Sequence, residues 1–253
     1  MISELSPALI GEVLLVSACL AVGGILKGAT GAGAPILAVP ALVALFDVRF
    51  AIAVMVMPNL LTNLWQAWRF RGSLPAAAFT APLVLGGMAG VGAGTLLLAV
   101  LPAERLQILV ALSVFGYVAL RFAKPHWKIE MDRAKSLALP AGLAAGFLQG
   151  ASGLSAPVSL TFLNAMRLER PVFIATISLF FTTFGAVQLI ALSAGHMLSW
   201  MELLYSFLAL IPIWAAMPLG VFLARRMSPA AFDRVILGIL SIIALKLLSD
   251  AVF

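Results

Sequence analysis

The chain of 253 residues is 63% hydrophobic and only 10% charged, with a formal net charge of +6 and a mean hydropathy of +1.12. Soluble domains are about half apolar and about a quarter charged, so this composition excludes a water-soluble enzyme and predicts surface facing lipid. The basic residues fall in short loops between apolar runs, a pattern that membrane insertion produces and that argues against nucleic-acid binding.

A helix needs about 20 apolar residues to cross the hydrocarbon. Runs near that length occupy 7–26, 51–68, 76–101, 106–120, 171–194, 201–224 and 235–253. Two shorter apolar arms, 34–46 and 156–163, each follow a glycine-rich turn, and 137–148 is short as well. None of these runs alternates with period two, so a β-barrel wall is excluded in favour of an all-α integral membrane protein. The first run lacks a basic leader, since Glu4 and Glu12 precede Lys27, and is expected to be a retained helix rather than a signal peptide. With Cys19 as the single cysteine, no intrachain disulfide can form.

The chain repeats itself. Gly28-Ala29-Thr30-Gly31-Ala32-Gly33-Ala34-Pro35 returns as Gly150-Ala151-Ser152-Gly153-Leu154-Ser155-Ala156-Pro157, with five of eight positions identical at an offset of 122. The same offset pairs Gly24 with Gly146 and Gln66 with Gln188. Two transmembrane repeats are therefore expected, 1–122 and 136–253, joined by a basic linker over 123–135.

Loop charge decides how each repeat starts. If the two arms around each glycine turn enter and leave on one side, as a broken hairpin, three crossings follow. Arg69, Arg71, Arg121, Lys124, Lys128, Arg133, Lys135, Arg167, Arg170, Arg225, Arg226 and Arg234 then share one side, against Arg49 and Arg105. If each arm pair crosses once, the basic residues divide evenly. Only the first arrangement obeys the positive-inside rule. It predicts two inverted-topology repeats, each a broken or re-entrant hairpin plus three transmembrane helices. The same count follows if both short arms cross fully. Both termini would lie outside and the linker in the cytoplasm of a bacterial inner membrane, with two hairpin tips approaching the midplane from opposite faces.

Irregular backbone at membrane depth must be buried in protein or line a wet cavity. The glycines at 28, 31, 33, 150 and 153 permit positive φ and close backbone approach. Pro35 and Pro157 suit the first turn of a second arm. The N–H groups just ahead of them, over 31–34 and 153–156, would be free to bind an anion. The tip residues Thr30, Gly31, Ala32, Gly33, Ser152, Gly153 and Ser155 are thus candidate substrate contacts. The competing reading is close helix packing by small residues.

Polar residues inside the apolar runs extend the candidate set. Gln66 and Gln188, at equivalent positions, would donate amide N–H to the same ligand or simply bond between helices. Asn59 and Asn63, one turn apart beyond Pro58, would line the site or cap a kink. Lys27, opposite Gln149 in the repeat, would attract an anion or snorkel outward. His126 and His196 fall in loops and receive no proton-relay role. No carboxylate is expected at mid-membrane, so a hard-cation site is not expected, and no cofactor is. Neither a zinc-peptidase, P-loop nor nucleophile-elbow motif occurs. No catalytic residue is assigned.

Over essentially its whole length the chain resembles the sulfite exporter TauE/SafE family. The resemblance rests on its length, its two homologous halves and the glycine turn followed by proline in each, at 28–35 and 150–157. It implies a secondary transporter of small sulfur-containing anions, such as sulfite or sulfonates, working by alternating access around the paired tips. A carrier or channel for another small organic anion, or a non-transporting membrane scaffold, are the alternatives. The partners expected are a small anion and the bilayer. Oligomeric state, direction and coupling are left open.

Overall fold

The computed structural model describes residues 7–123, 127–226 and 229–252, without the side chains of 7–10, 229–233 and 251–252. Glu4, Lys124, His126 and Ser228 lie outside the described residues. Ten α-helices follow one another: α1 (Pro7–Thr30), α2 (Ala34–Val43), α3 (Val48–Arg69), α4 (Ala77–Val100), α5 (Ala103–Phe122), α6 (Met131–Ser152), α7 (Ala156–Ala165), α8 (Arg170–Ala194), α9 (Trp200–Arg226) and α10 (Pro229–Val252). A single 3₁₀ turn, Arg71–Ser73, joins α3 to α4, and no strand occurs among the described residues. The fold is all-helical, as composition required.

Among the described residues six helices are long and apolar enough to cross a membrane: α1, α3, α4, α5, α8 and α9. By contrast α2 and α7 have 10 residues each. At 1.5 Å per residue they reach about 15 Å, half the hydrocarbon. The apolar run 137–148 underestimates its helix. α6 has 22 residues: its first two turns carry Asp132, Arg133 and Lys135, which hydropathy discounts although all three can stay solvated there and Asp132 suits the helix dipole.

The breaks come from left-handed backbone. Gly31 (φ 80°) and Gly33 (φ 109°) end α1 and start α2, while Gly153 (φ 72°) alone turns α6 into α7. Ser155, which occupies the position equivalent to Gly33, is right-handed at φ −94°. The second turn is therefore tighter. Pro35 and Pro157 sit in the first turns of α2 and α7, where a missing N–H leaves no helical bond unmade.

Gly28 and Gly150, expected at the tips, have a different task. Both are helical, and what they approach is a neighbouring helix. A Cβ on Gly28 would stand 2.0 Å from the Met217 carbonyl oxygen, and one on Gly150 would stand 2.3 Å from that of Val91. Gly24 meets Ile213 in the same way, and Gly220 meets Ile25, so α1 and α9 run parallel with backbones touching. Gly86, Gly90 and Gly94 of α4 interleave with Gly142, Gly146 and Gly150 of α6 in a second parallel seam.

Helix pairing follows a rule. α1 packs on α9 and α6 on α4; α3 packs on α9 and α8 on α4; α2 touches α10 and α7 touches α5. α3 pairs with α8, and α5 with α10. Replacing each helix by the one five places away returns these pairs, whereas among the described residues the lesser contacts of α5 with α2, α3 and α6 and of α6 with α8 have no comparable counterpart.

Candidate functional site

Both glycine turns, the tips between α1 and α2 and between α6 and α7, lie inside the helical body. Gly28 lies opposite Met217, and α9 runs on to Arg226, so the first tip stops roughly 10 Å short of that helix end. The second tip stops similarly short of the end of α4, since Gly150 faces Val91 and Thr95.

Between them lies a small cavity lined by Pro35 and Val39 of α2, Ile52, Met55 and Asn59 of α3, Gln149 and Gly153 at the second tip, and Gln188 of α8. Its volume is only about 10 Å³, room for about one water, so a polyatomic anion enters it only when its walls move apart. Its polar groups are amides. Gln149 Nε2 donates to Gln188 Oε1 (3.4 Å), and Gln188 Nε2 donates back to the Gln149 carbonyl (3.3 Å), tying α6 to α8.

Lys27 reaches this cavity indirectly. It is fully buried, with 1% of its surface exposed, so its stem does not snorkel. Its ammonium donates to Asn63 Oδ1 at 2.7 Å. Asn63 Nδ2 in turn donates to Asn59 Oδ1 at 2.8 Å and to the Asn59 carbonyl at 2.7 Å. The two asparagines do share a helix face, and Asn59 carries the chain of bonds to the cavity wall.

Other candidates are placed elsewhere. Gln66 accepts from Ser178 at 3.4 Å, across α3 and α8, and is not joined to Gln188. Thr30 is exposed; its hydroxyl bonds the Leu26 carbonyl at 2.8 Å and the Ala32 carbonyl. Thr30 and Ala32 line a larger cavity, together with Tyr117, Arg121 and Asn164. Ser152 bonds the Leu148 carbonyl and Ser113 on α5, and Ser155 accepts from Ser159. Ser113, Leu154 and Pro157 border a third cavity, which shares Ile36 and Tyr117 with the larger one.

The free N–H groups expected over 31–34 and 153–156 are fewer than that. Gly31 N–H closes the last turn of α1 on Lys27, and Gly153 N–H that of α6 on Gln149, each at 2.8 Å. Helical bonding simply runs one residue further than a glycine turn suggests. Neither α2 nor α7 has a side-chain cap. Ser155 cannot supply one, because a capping hydroxyl needs extended backbone and Ser155 is right-handed. Most first-turn donors are nevertheless used: Ile36 N–H bonds the Gly33 carbonyl and Val158 N–H the Ser155 carbonyl, each at 3.0 Å, and Pro35 and Pro157 have no N–H, which leaves Ala34 and Ala156 as the first-turn donors outside these bonds. Pro35 fronts the central cavity, whereas Ala156 and Pro157 front the third.

Sequence reading missed Gln149 as a contact. The signal was its register with Lys27 in the repeat. It also missed Ser113 and Ser178, single hydroxyls on apolar helices that carry no pattern. No group of three or more His, Cys, Asp or Glu able to hold a metal occurs among the described residues.

Crossing-length apolar helices with two broken helices around a small amide-lined cavity define a multi-pass membrane protein. Residues 15–247 match the family model described as sulfite exporter TauE/SafE, and the chain belongs to that family, which makes it a membrane transporter. Comparison with curated proteins gave no match, and comparison with solved structures gave none either.

Proposed function

We propose that the chain is a secondary transporter of a small sulfur oxyanion, sulfite or a sulfonate, bound in the cavity between the two tips. The observation that carries this reading is the lining itself: amides from three helices, with a buried lysine behind Asn59 and Asn63. Amide N–H groups and one cation suit an anion, and carboxylates that would repel it are missing from the wall.

Alternating access would move the tips. Pro35 and Gly153 border the central cavity while their neighbours Ile36 and Leu154 border the third, so the start of α2 and the second tip stand as a partition. The left-handed glycines 31, 33 and 153 are the hinges on which such a partition turns. The parallel pairs α1 with α9 and α4 with α6 support two halves of inverted topology, 1–122 and 136–253. With the basic linker cytoplasmic, the larger cavity beside Arg121 faces the cytoplasm and both termini face outward. An exporter in a bacterial inner membrane would draw on the membrane potential, about 2.3 kcal/mol per charge per 100 mV.

Reconstituted chain should take up labelled sulfite or methanesulfonate, and Gln188→Glu should abolish uptake while the protein stays folded, because it sets a like charge in the anion site. A scaffold, in which glycines only pack helices, predicts no uptake by the wild type. Wild-type vesicles no more permeable than empty ones would remove the transport reading.

A further inference from the structure

The polarity of the hydrogen bonds behind the cavity has one direction. An ammonium has donors only, so Asn63 must turn its oxygen to Lys27 and its NH₂ to Asn59. Asn59 therefore accepts through Oδ1, and its own NH₂ is left over. Among the described residues this NH₂ has no acceptor, although Asn59 is only 4% exposed and lines the cavity. Lys27 thus holds a polarised donor against the central cavity from two amides away.

The charge count there is one. No carboxylate meets Lys27: on α1 and the helices against it, Glu12 is exposed, Asp47 caps the start of α3 and Glu202 lies in the first turn of α9. The other cations of these helices, Arg49, Arg69, Arg225 and Arg226, stand in first or last turns. The equivalent of Lys27 in the second repeat is Gln149, a neutral amide in the cavity wall.

Building on the proposed anion site, we infer that the Lys27–Asn63–Asn59 relay makes the site selective for monovalent oxyanions, R–SO₃⁻ or hydrogen sulfite, over dianions such as sulfate. A single buried cation neutralises one anionic charge. The second charge of a dianion would be left in a water-poor cavity with only amides to solvate it, and burying an unpaired charge is heavily penalised.

The test is uptake of labelled methanesulfonate, sulfite and sulfate by the full chain in proteoliposomes, at matched ionic strength and over a range from mildly acid to mildly alkaline pH. Methanesulfonate should exceed sulfate by about tenfold or more, the scale of one charge pair at intermediate dielectric. The ratio of sulfite to methanesulfonate uptake should fall as pH rises, because hydrogen sulfite becomes the dianion while methanesulfonate is a monoanion throughout. Lys27→Gln should lower methanesulfonate uptake about tenfold and shrink the preference, and Lys27→Arg, which keeps the charge, should preserve it. Equal uptake of sulfate and methanesulfonate by the wild type overturns the inference whether or not either variant assembles. So does an unchanged preference in Lys27→Gln. Uptake of none of the three anions is a separate result, and it removes the sulfur-oxyanion reading on which the inference rests.

Discussion

Gly150→Ala places one methyl group where two backbones touch. The new Cβ would sit 2.3 Å from the Val91 carbonyl oxygen and 2.7 Å from the Thr95 nitrogen, roughly 1.1 Å inside ordinary contact. Neither wall is a side chain that can swing away, so α6 must move off α4. Overpacking of this kind costs about 1–3 kcal/mol. The helix-propensity gain of alanine offsets little of it, because a lipid-embedded helix stays helical when its partner leaves. At about 2–4 °C per kcal/mol for a chain of this size, the melting temperature in detergent should fall by roughly 2–12 °C. Gly116→Ala on α5, where nothing lies within 4 Å, is the matched control and should leave it unchanged. Anion uptake should fall along with stability in Gly150→Ala, since the adjacent Gln149 bonds Gln188 at 3.3–3.4 Å and those bonds do not survive a shift of an ångström. A Gly150→Ala protein that melts with the wild type and the Gly116→Ala control would refute the seam as the element holding α6 in place.

Ser206→Ala should destabilise by about 1–2 kcal/mol in thermal melts, because the buried Ser206 hydroxyl is the acceptor for the Met57 N–H at 3.0 Å, next to the Pro58 break in α3. Arg49→Lys should lose about 1 kcal/mol, as the Arg49 guanidinium binds the carbonyls of Leu98 (3.1 Å) and Leu101 (2.7 Å) together at the end of α4, and a lysine has no planar fork to span them. In a Cys19→Ser background, Gly72→Cys should react with a membrane-impermeant thiol reagent only after cells are opened, and Glu104→Cys in intact cells. The reverse pattern would invert the proposed topology.

The sequence made the duplicated glycine–proline motif visible, and left-handed glycines do break the helices at both copies. It could not divide the labour among the glycines. Gly28 and Gly31 differ by three residues and read alike, yet one lets α9 approach and the other bends the chain. That difference lies in the partner helix, not in the motif. Helix α6 was underestimated for a related reason: Asp132, Arg133 and Lys135 lower its hydropathy although helix geometry tolerates them at a solvated end. Arg49 counted against the charge bias as one of two outward basic residues. Its hydrogen bonds explain the exception, since it caps carbonyls at the end of α4. Within the site, Asn59 and Asn63 were legible from their spacing, whereas the partners of Gln66 and Gln188 depended on helices far away in the chain.

The two repeats use the equivalent positions 27 and 149 to bond a neighbouring helix, but they differ in charge and in partner, since Gln188 is the equivalent of Gln66 and not of Asn63. In the first, a residue of α1 reaches a residue of α3, Lys27 to Asn63; in the second, the equivalent residue of α6 reaches α8, Gln149 to Gln188. Had both positions kept lysine, the core would hold two cations with no carboxylate to neutralise them, at a desolvation penalty of several kcal/mol each. Had both been glutamine, the cavity would offer dipoles but no net charge to draw an anion from water. One lysine and one glutamine sit between these limits. The lysine supplies a long-range attraction and the glutamine pair shapes the wall, so in the proposed anion site the asymmetry between the halves is what binding would depend on.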